Sequence, residues 1–181
     1  MKTENNAKRP GSSSGSRGSR LKKVLLTTVL HIDDDANDTE LLEAAMRKAK
    51  AKFILHNVND GEQAMAYLNG HGVYGNRTRF QVPSLILLDL KMPRATGFEV
   101  LKWIRGHKLM GKLPIVVLSG SELQEDIQHA YAAGANSYLV KPLSFNGLVQ
   151  LIREVEAKWV TNQPMLSLNA EHLGPVPGLT F

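Results

Sequence analysis

Cysteine is absent from the 181 residues, which excludes a disulfide framework and thiol catalysis. No stretch approaches the ~20 consecutive apolar residues that a helix needs to cross a bilayer. Nor does the N-terminus carry a basic segment leading into an apolar run and a small-residue cleavage site. The run LKKVLLTTVLHIDDD at 21–35 comes late and ends in three acids, unlike a secretory signal. Aromatic residues are missing from residues 1–20, so this segment has no platform for stacking nucleic-acid bases. After the first apolar run there is no glycine-rich phosphate cradle, which argues against a nucleotide or flavin binder. The expectation is a soluble, cytoplasmic protein.

The net charge of +5 is unevenly spread. Lys2, Lys8, Arg9, Arg17, Arg20, Lys22 and Lys23 stand against Glu4 alone in the first 23 residues, and the remainder is close to neutral. Residues 1–20, with SSSGSRGS at their centre, read as a basic, solvating, disordered arm. Residues 21–160 are richer in Leu, Val and Ile and suit one domain. Residues 161–181 read as a tail, too short for a DNA-binding output domain.

Five short apolar runs alternate with amphipathic stretches. Val24–Ile32, Phe53–Val58, Ser84–Leu88, Ile115–Leu118 and Ser137–Val140 predict strands, and each is followed by a helical pattern. The predicted helices cover 37–50, 62–68, 98–105, 122–133 and 145–160. Residues 70–82, GHGVYGNRTRFQV, form an unusually long polar connection. A βα alternation of this kind requires helices on both faces of a parallel sheet. Five strands are too few for a closed (β/α)₈ barrel, leaving an open, doubly wound α/β sheet.

Polar residues stand just past the apolar runs. Asp33 and Asp34 follow VLHI, Asp89 follows SLILL, Ser119 follows PIVVL and Lys141 follows SYLV. An open parallel sheet builds its site at that edge. Carboxylates brought close together repel, and their oxygens suit a hard cation, most naturally Mg²⁺. An aspartate can attack phosphorus and become an acyl phosphate. A hydroxyl and an ammonium at Ser119 and Lys141 would then serve the phosphoryl oxygens.

With HIDDD at 31–35, LLDLKMP at 87–93 followed by Gly97, VVLSG at 116–120 and AGANSYLVKP at 133–142 in this order, the chain resembles the receiver domain of two-component response regulators. The resemblance spans about Val24 to Trp159. It implies a flavodoxin-like (CheY-like) sheet with strand order 2-1-3-4-5. It also implies Asp89 as the acceptor of phosphate from a histidine kinase or histidine phosphotransfer protein. Asp33, Asp34, Asp89 and the backbone carbonyl of Lys91 would hold Mg²⁺. Ser119 would be the switch hydroxyl, Lys141 the phosphate-binding lysine, and Tyr138 the aromatic that turns inward on activation. Lys141-Pro142 matches a bond that is typically cis in that family. The DLKMP loop and the long connection before the third strand are similar to stand-alone receivers associated with phytochrome-type kinases.

Two positions depart from the common pattern. Lys91 stands where many relatives place Asn or a smaller residue, so its ammonium either reaches the phosphoryl oxygens or points to solvent. Ser121 brings neither charge nor bulk to bear on water entry. Output is expected through a partner, a homodimer or a phosphorelay. Any enzymatic character would be confined to self-phosphorylation from small donors and self-dephosphorylation. The alternatives are a Mg²⁺-dependent phosphatase with Asp89 as nucleophile, or a protein-binding module that is never phosphorylated.

Overall fold

The computed structural model describes residues 26–92 and 96–161. The expectations for the arm 1–20, for Pro93 and for almost all of the tail lie outside those residues. Among the described residues, five strands alternate with five α-helices. They are β1 (Thr27–Ile32), α1 (Ala36–Ala49), β2 (Phe53–Val58), α2 (Gly61–Asn69), β3 (Leu85–Leu88) and α3 (Gly97–Gly106). β4 (Ile115–Ser119), α4 (Gln124–Ala132), β5 (Ser137–Val140) and α5 (Phe145–Val155) complete the set. A 3₁₀ turn at Gly72–Gly75 lies in the long connection, and a π-type turn, Glu156–Val160, extends α5.

All strands are parallel, in the order β2-β1-β3-β4-β5. Helices cover both faces, so the central strands are buried on two sides and read as continuous apolar runs. All four residues of β3, LILL, are fully buried. One core joins Leu30, Ile32, Ile86 and Leu88 to Val100, Leu101 and Ile104 of α3. The other joins Val29, Leu85 and Leu87 to Leu42 of α1 and Ile152 of α5.

Local chemistry fixes where the helices begin. Asp35 accepts a hydrogen bond from the Asn37 N–H and opens α1, and Asp60 does the same for Gln63 at α2. Thr96 and Glu99 form a reciprocal capping box at α3. Gly97 is required for a different reason. A Cβ there would lie 2.1 Å from the Asp89 carbonyl oxygen and 2.7 Å from Leu90 Cα, so only glycine lets α3 start against the loop after β3.

The long connection is not a loose excursion. Arg77 donates to the carbonyls of Tyr67, Leu68 and Phe80 at 2.8, 2.6 and 3.2 Å, satisfying the end of α2. Tyr74 and Phe80 pack on the buried Tyr67.

No cis peptide bond occurs among the described residues, so Lys141-Pro142 is trans here and the expected cis bond is corrected. Trans is also the lower-energy isomer for an X-Pro bond.

Candidate functional site

Strand register brings the two key carboxylates together. Ile32 of β1 pairs with Leu88 of β3, so Asp33 and Asp89 are the next residues along two neighbouring strands. The Asp89 N–H donates to the Ile32 carbonyl at 2.9 Å and locks this alignment. β1 and β3 are also where the chain order reverses across the sheet, the usual position of a site in such folds.

Lys141 arrives from the other side. Its N–H donates to the Ser119 carbonyl at 2.9 Å, one step past the β4–β5 pairing. Its Nζ donates to Asp33 Oδ2 at 2.7 Å, Asp38 Oδ2 at 2.7 Å and Asp89 Oδ2 at 3.0 Å. An ammonium has three N–H donors, and each meets a different carboxylate.

Electrostatics follow from this contact. Burial alone would raise the Asp33 carboxyl pKa. Hydrogen bonds from His31, Lys141 and the Asp35 N–H, together with the Lys141 charge, outweigh burial and bring it to about 2. Burial likewise favours neutral Lys141, but bonds to Asp33 and Asp38 and the charges of Asp33 and Asp89 raise its pKa well above the usual lysine value. Both groups are therefore ionised at neutral pH. A single ammonium thus serves three carboxyl groups, and a divalent cation at this edge would bring them further positive charge.

The donor set fits such an ion. Asp33 and Asp89 offer hard oxygens, and the Lys91 backbone stays beside the site because its N–H donates to Asp89 Oδ1 at 3.2 Å. Among the described residues no group of three or more His, Cys, Asp or Glu side chains is arranged as a metal cage. This partial set suits Mg²⁺, which binds through one or two carboxylates and retains several waters.

Of the sequence-predicted residues, Asp33, Asp89 and Lys141 are thus in direct contact. Asp34 follows Asp33 as an exposed residue, and Lys91 is also exposed. Ser119 closes β4 fully buried, its Oγ accepting the Ser121 N–H at 3.4 Å. Tyr138 packs against the core, and its hydroxyl donates to the Ser121 carbonyl at 2.9 Å.

Two residues at the site escaped the sequence reading. Asp38 lies in the first turn of α1, where an acid is already favoured by the helix dipole, yet it binds Lys141. His31 lies in β1, buried, with Nε2 3.4 Å from Asp33 Oδ2 and Nδ1 3.1 Å from Asn57 Oδ1. Asn57 Nδ2 in turn donates to Glu43 Oε1 at 2.8 Å, and this fixes the orientation of its amide. A polar residue at a buried position inside an apolar run was the available signal for His31.

Residues 29–153 match the family model of the response regulator receiver domain. The chain belongs to this family. The receiver is 32% identical over 132 residues to response regulator Rcp1 of Synechocystis, covering 73% of this chain and 88% of that one. The structure of the phosphorylated cyanobacterial phytochrome response regulator RcpA superposes with a TM-score of 0.70 at 32% identity. That match covers 77% of this chain and 98% of RcpA. The Mn²⁺-bound form of Rcp1 gives a TM-score of 0.67 at 30% identity, over 76% and 97% of the two chains.

The receiver is a phosphoacceptor signalling domain of the two-component kind. Neither the hydrolase nor the binding-only alternative gains support from these likenesses. Receiver domains bind divalent metal and interact with histidine kinases or phosphotransfer proteins. No described helix of this receiver is long and apolar enough to cross a membrane.

Proposed function

We propose that Asp89 takes the phosphoryl group from a phosphohistidine of a sensor kinase or a histidine phosphotransfer protein. The observation that carries this reading is the Lys141 ammonium held between Asp89 and Asp33 at the sheet edge. A carboxylate oxygen of Asp89 attacks phosphorus in line and the P–N bond breaks. The imidazole leaves with the electron pair of that bond, and an acyl phosphate remains. Lys141 stays within reach of both the new phosphoryl oxygens and Asp33, so its charge is already in place when negative charge arrives.

Magnesium is the proposed ion, with Asp33, Asp34, Asp89 and the Lys91 carbonyl as ligands. When bound, it supplies positive charge against the phosphoryl oxygens. Ser119 donates its hydroxyl to one of those oxygens, and the loop after β4 follows. Tyr138, already bonded to that loop through Ser121, reports the change to the surface of α4, β5 and α5. The signal is a two-state equilibrium biased by local charge.

Residues 21–160 are the proposed functional unit, acting in the cytoplasm, with the basic arm 1–20 and the tail 161–181 outside it. Output passes through a partner, a homodimer or a phosphorelay. The likeness to phytochrome response regulators supports a phytochrome-type histidine kinase as the phosphodonor. Incubation with acetyl phosphate and Mg²⁺, followed by intact-mass measurement, tests the acceptor. Wild type should gain one alkali-labile phosphate and Asp89→Asn none, and deletion of residues 1–20 should leave the modification intact. Phosphate retained by Asp89→Asn would reject Asp89 as the acceptor.

A further inference from the structure

Ser121 uses every polar group it has. Its N–H donates to Ser119 Oγ at 3.4 Å, and its carbonyl accepts the Tyr138 hydroxyl at 2.9 Å. Its Oγ accepts the Leu123 N–H at 3.4 Å and donates to Asp126 Oδ2. The residue is buried, so each of these bonds replaces contact with water. A small side chain with neither charge nor bulk is therefore the junction between the switch hydroxyl, the switch aromatic and α4.

α4 is fastened at a second point. Among the described residues β5 is an edge strand, and no further strand pairs with its outward N–H groups. The Tyr138 N–H donates instead to the Tyr131 hydroxyl of α4, at 3.2 Å. Tyr138 is thus bonded twice: through its ring hydroxyl to the loop after β4, and through its backbone to α4. Asp126 and Tyr131, both on α4, close the circuit through Ser121 and Tyr138. The first turn of α4 has no other side-chain cap, since Leu123 at its N-cap makes no such bond. The tether from Ser121 to Asp126 is accordingly the side-chain link that ties the start of α4 to the loop.

We propose that Asp126 and Tyr131 are positioning residues that hold α4 in register with the switch loop and β5. In that register Tyr138 stays on the Ser121 carbonyl, and Ser119 stays where its hydroxyl can serve phosphoryl transfer to Asp89. The proposal rests on the reading of Ser119 and Tyr138 given above. It adds that their arrangement is set from α4 before any phosphate arrives. Loss of either α4 anchor lets the loop leave this arrangement, so reception of the phosphoryl group slows even though neither residue touches it.

The test compares Ser121→Ala, Asp126→Ala, Asp126→Asn and Tyr131→Phe with wild type. Ser121→Ala removes Oγ, and with it the tether to Asp126 and the bond from the Leu123 N–H, but keeps the backbone bonds to Ser119 and Tyr138. Two readouts are taken on each folded variant. The first is the ring resonance of Tyr138 in ¹³C-tyrosine-labelled protein, assigned with Tyr138→Phe. The second is the rate of phosphorylation by acetyl phosphate with Mg²⁺. Ser121→Ala and Asp126→Ala should shift the Tyr138 resonance alike, and the double variant should shift it no further. Tyr131→Phe should also move it. Each should slow phosphorylation roughly three- to tenfold, the reach of one hydrogen bond on a single equilibrium. Asp126→Asn, which keeps an oxygen to accept from Ser121, should restore most of both.

An unmoved Tyr138 resonance and an unchanged rate in Ser121→Ala would overturn the proposal, as would additive shifts in the double variant. If Asp126→Ala fails to fold, Ser121→Ala and Tyr131→Phe decide alone. Failure of the acceptor reading looks different: wild type itself would take no phosphate, while the tyrosine shifts would still report whether the anchors exist.

Discussion

Lys141 Nζ sits 2.7 Å from Asp33 Oδ2, joining the end of β5 to the end of β1 across the two strands that separate them. Asp38 and Asp89 share the same ammonium. Removing it leaves three carboxylates facing one another with Asp33 fully out of water. Lys141→Met is therefore expected to lose about 3 kcal/mol of stability in Mg²⁺-free buffer, the usual cost of a buried charge stripped of its partner. Urea unfolding measures the loss, and added Mg²⁺ should recover part of it. An unchanged midpoint would show that the ammonium is not balancing these acids.

His31 braces Asp33 from within the sheet. Substitution His31→Leu removes the imidazole that lies between the Asn57 amide oxygen and Asp33 in a buried region, and leaves one side of Asp33 without its ring contact. The expected stability loss is about 1–3 kcal/mol. Mg²⁺ affinity, read by calorimetric titration, should fall about tenfold, as it does when a group orienting a metal ligand is removed. Full affinity in the His31→Leu variant would mean that Asp33 needs no support from β1.

Gly97 and Gly106 bound the same helix and make an internal comparison. The Cβ of Gly97→Ala would overlap the Asp89 backbone, whereas nothing lies within 4 Å of the corresponding atom at Gly106. Gly97→Ala should cost about 3 kcal/mol or more by overpacking, and slow phosphorylation by displacing the acceptor loop. Gly106→Ala should be neutral or slightly stabilising. Equal behaviour of the two variants in thermal unfolding would contradict the close approach of α3 to Asp89.

His56 gives the fold a pH dependence away from the site. Its ring lies 5.6 Å from Tyr67 and 5.4 Å from Phe80, centroid to centroid. Burial lowers its pKa from 6.5, and the Arg79 charge acts in the same direction, against the hydrogen bond that the imidazole donates to the Arg79 backbone. Below pH 6.5 the unfolded chain takes up a proton that the folded chain resists. The stabilisation is present above that pH and is lost as pH falls through the ordinary histidine range towards the lower folded value. Urea titrations at roughly pH 7.5 and 5.5 should show weaker stability at the lower pH, with the difference reduced in His56→Gln. A difference that His56→Gln leaves intact would assign it to other groups.

Much of this architecture was legible because the parallel sheet writes itself as apolar runs. VLHI and SLILL end where β1 and β3 end, and the residue after each paired strand is an aspartate. Adjacency of Asp33 and Asp89 then follows from register alone. Asp38 was invisible for the opposite reason: its partner is 103 residues away, and helix periodicity has no view of a lysine on another strand. The role of Ser121 was hidden because a short hydroxyl side chain carries no sign in sequence of the Asp126 and Tyr138 contacts that the fold brings to it. The connection at 70–82 was read as a polar surface segment. Its order comes from Arg77 satisfying three carbonyls, and nothing in the sequence distinguishes Arg77 from the neighbouring Arg79.

Direct mapping of the modified side chain shows whether Asp89 alone receives phosphate. Borohydride reduction of the phosphorylated protein converts the acyl phosphate to an alcohol, and peptide mass analysis then locates the change. Reduction is expected at position 89, dependent on Mg²⁺ and on phosphodonor, and absent from Asp33, Asp34 and Asp38. Reduction at one of those acids, or stable phosphate on a histidine with position 89 untouched, would contradict it.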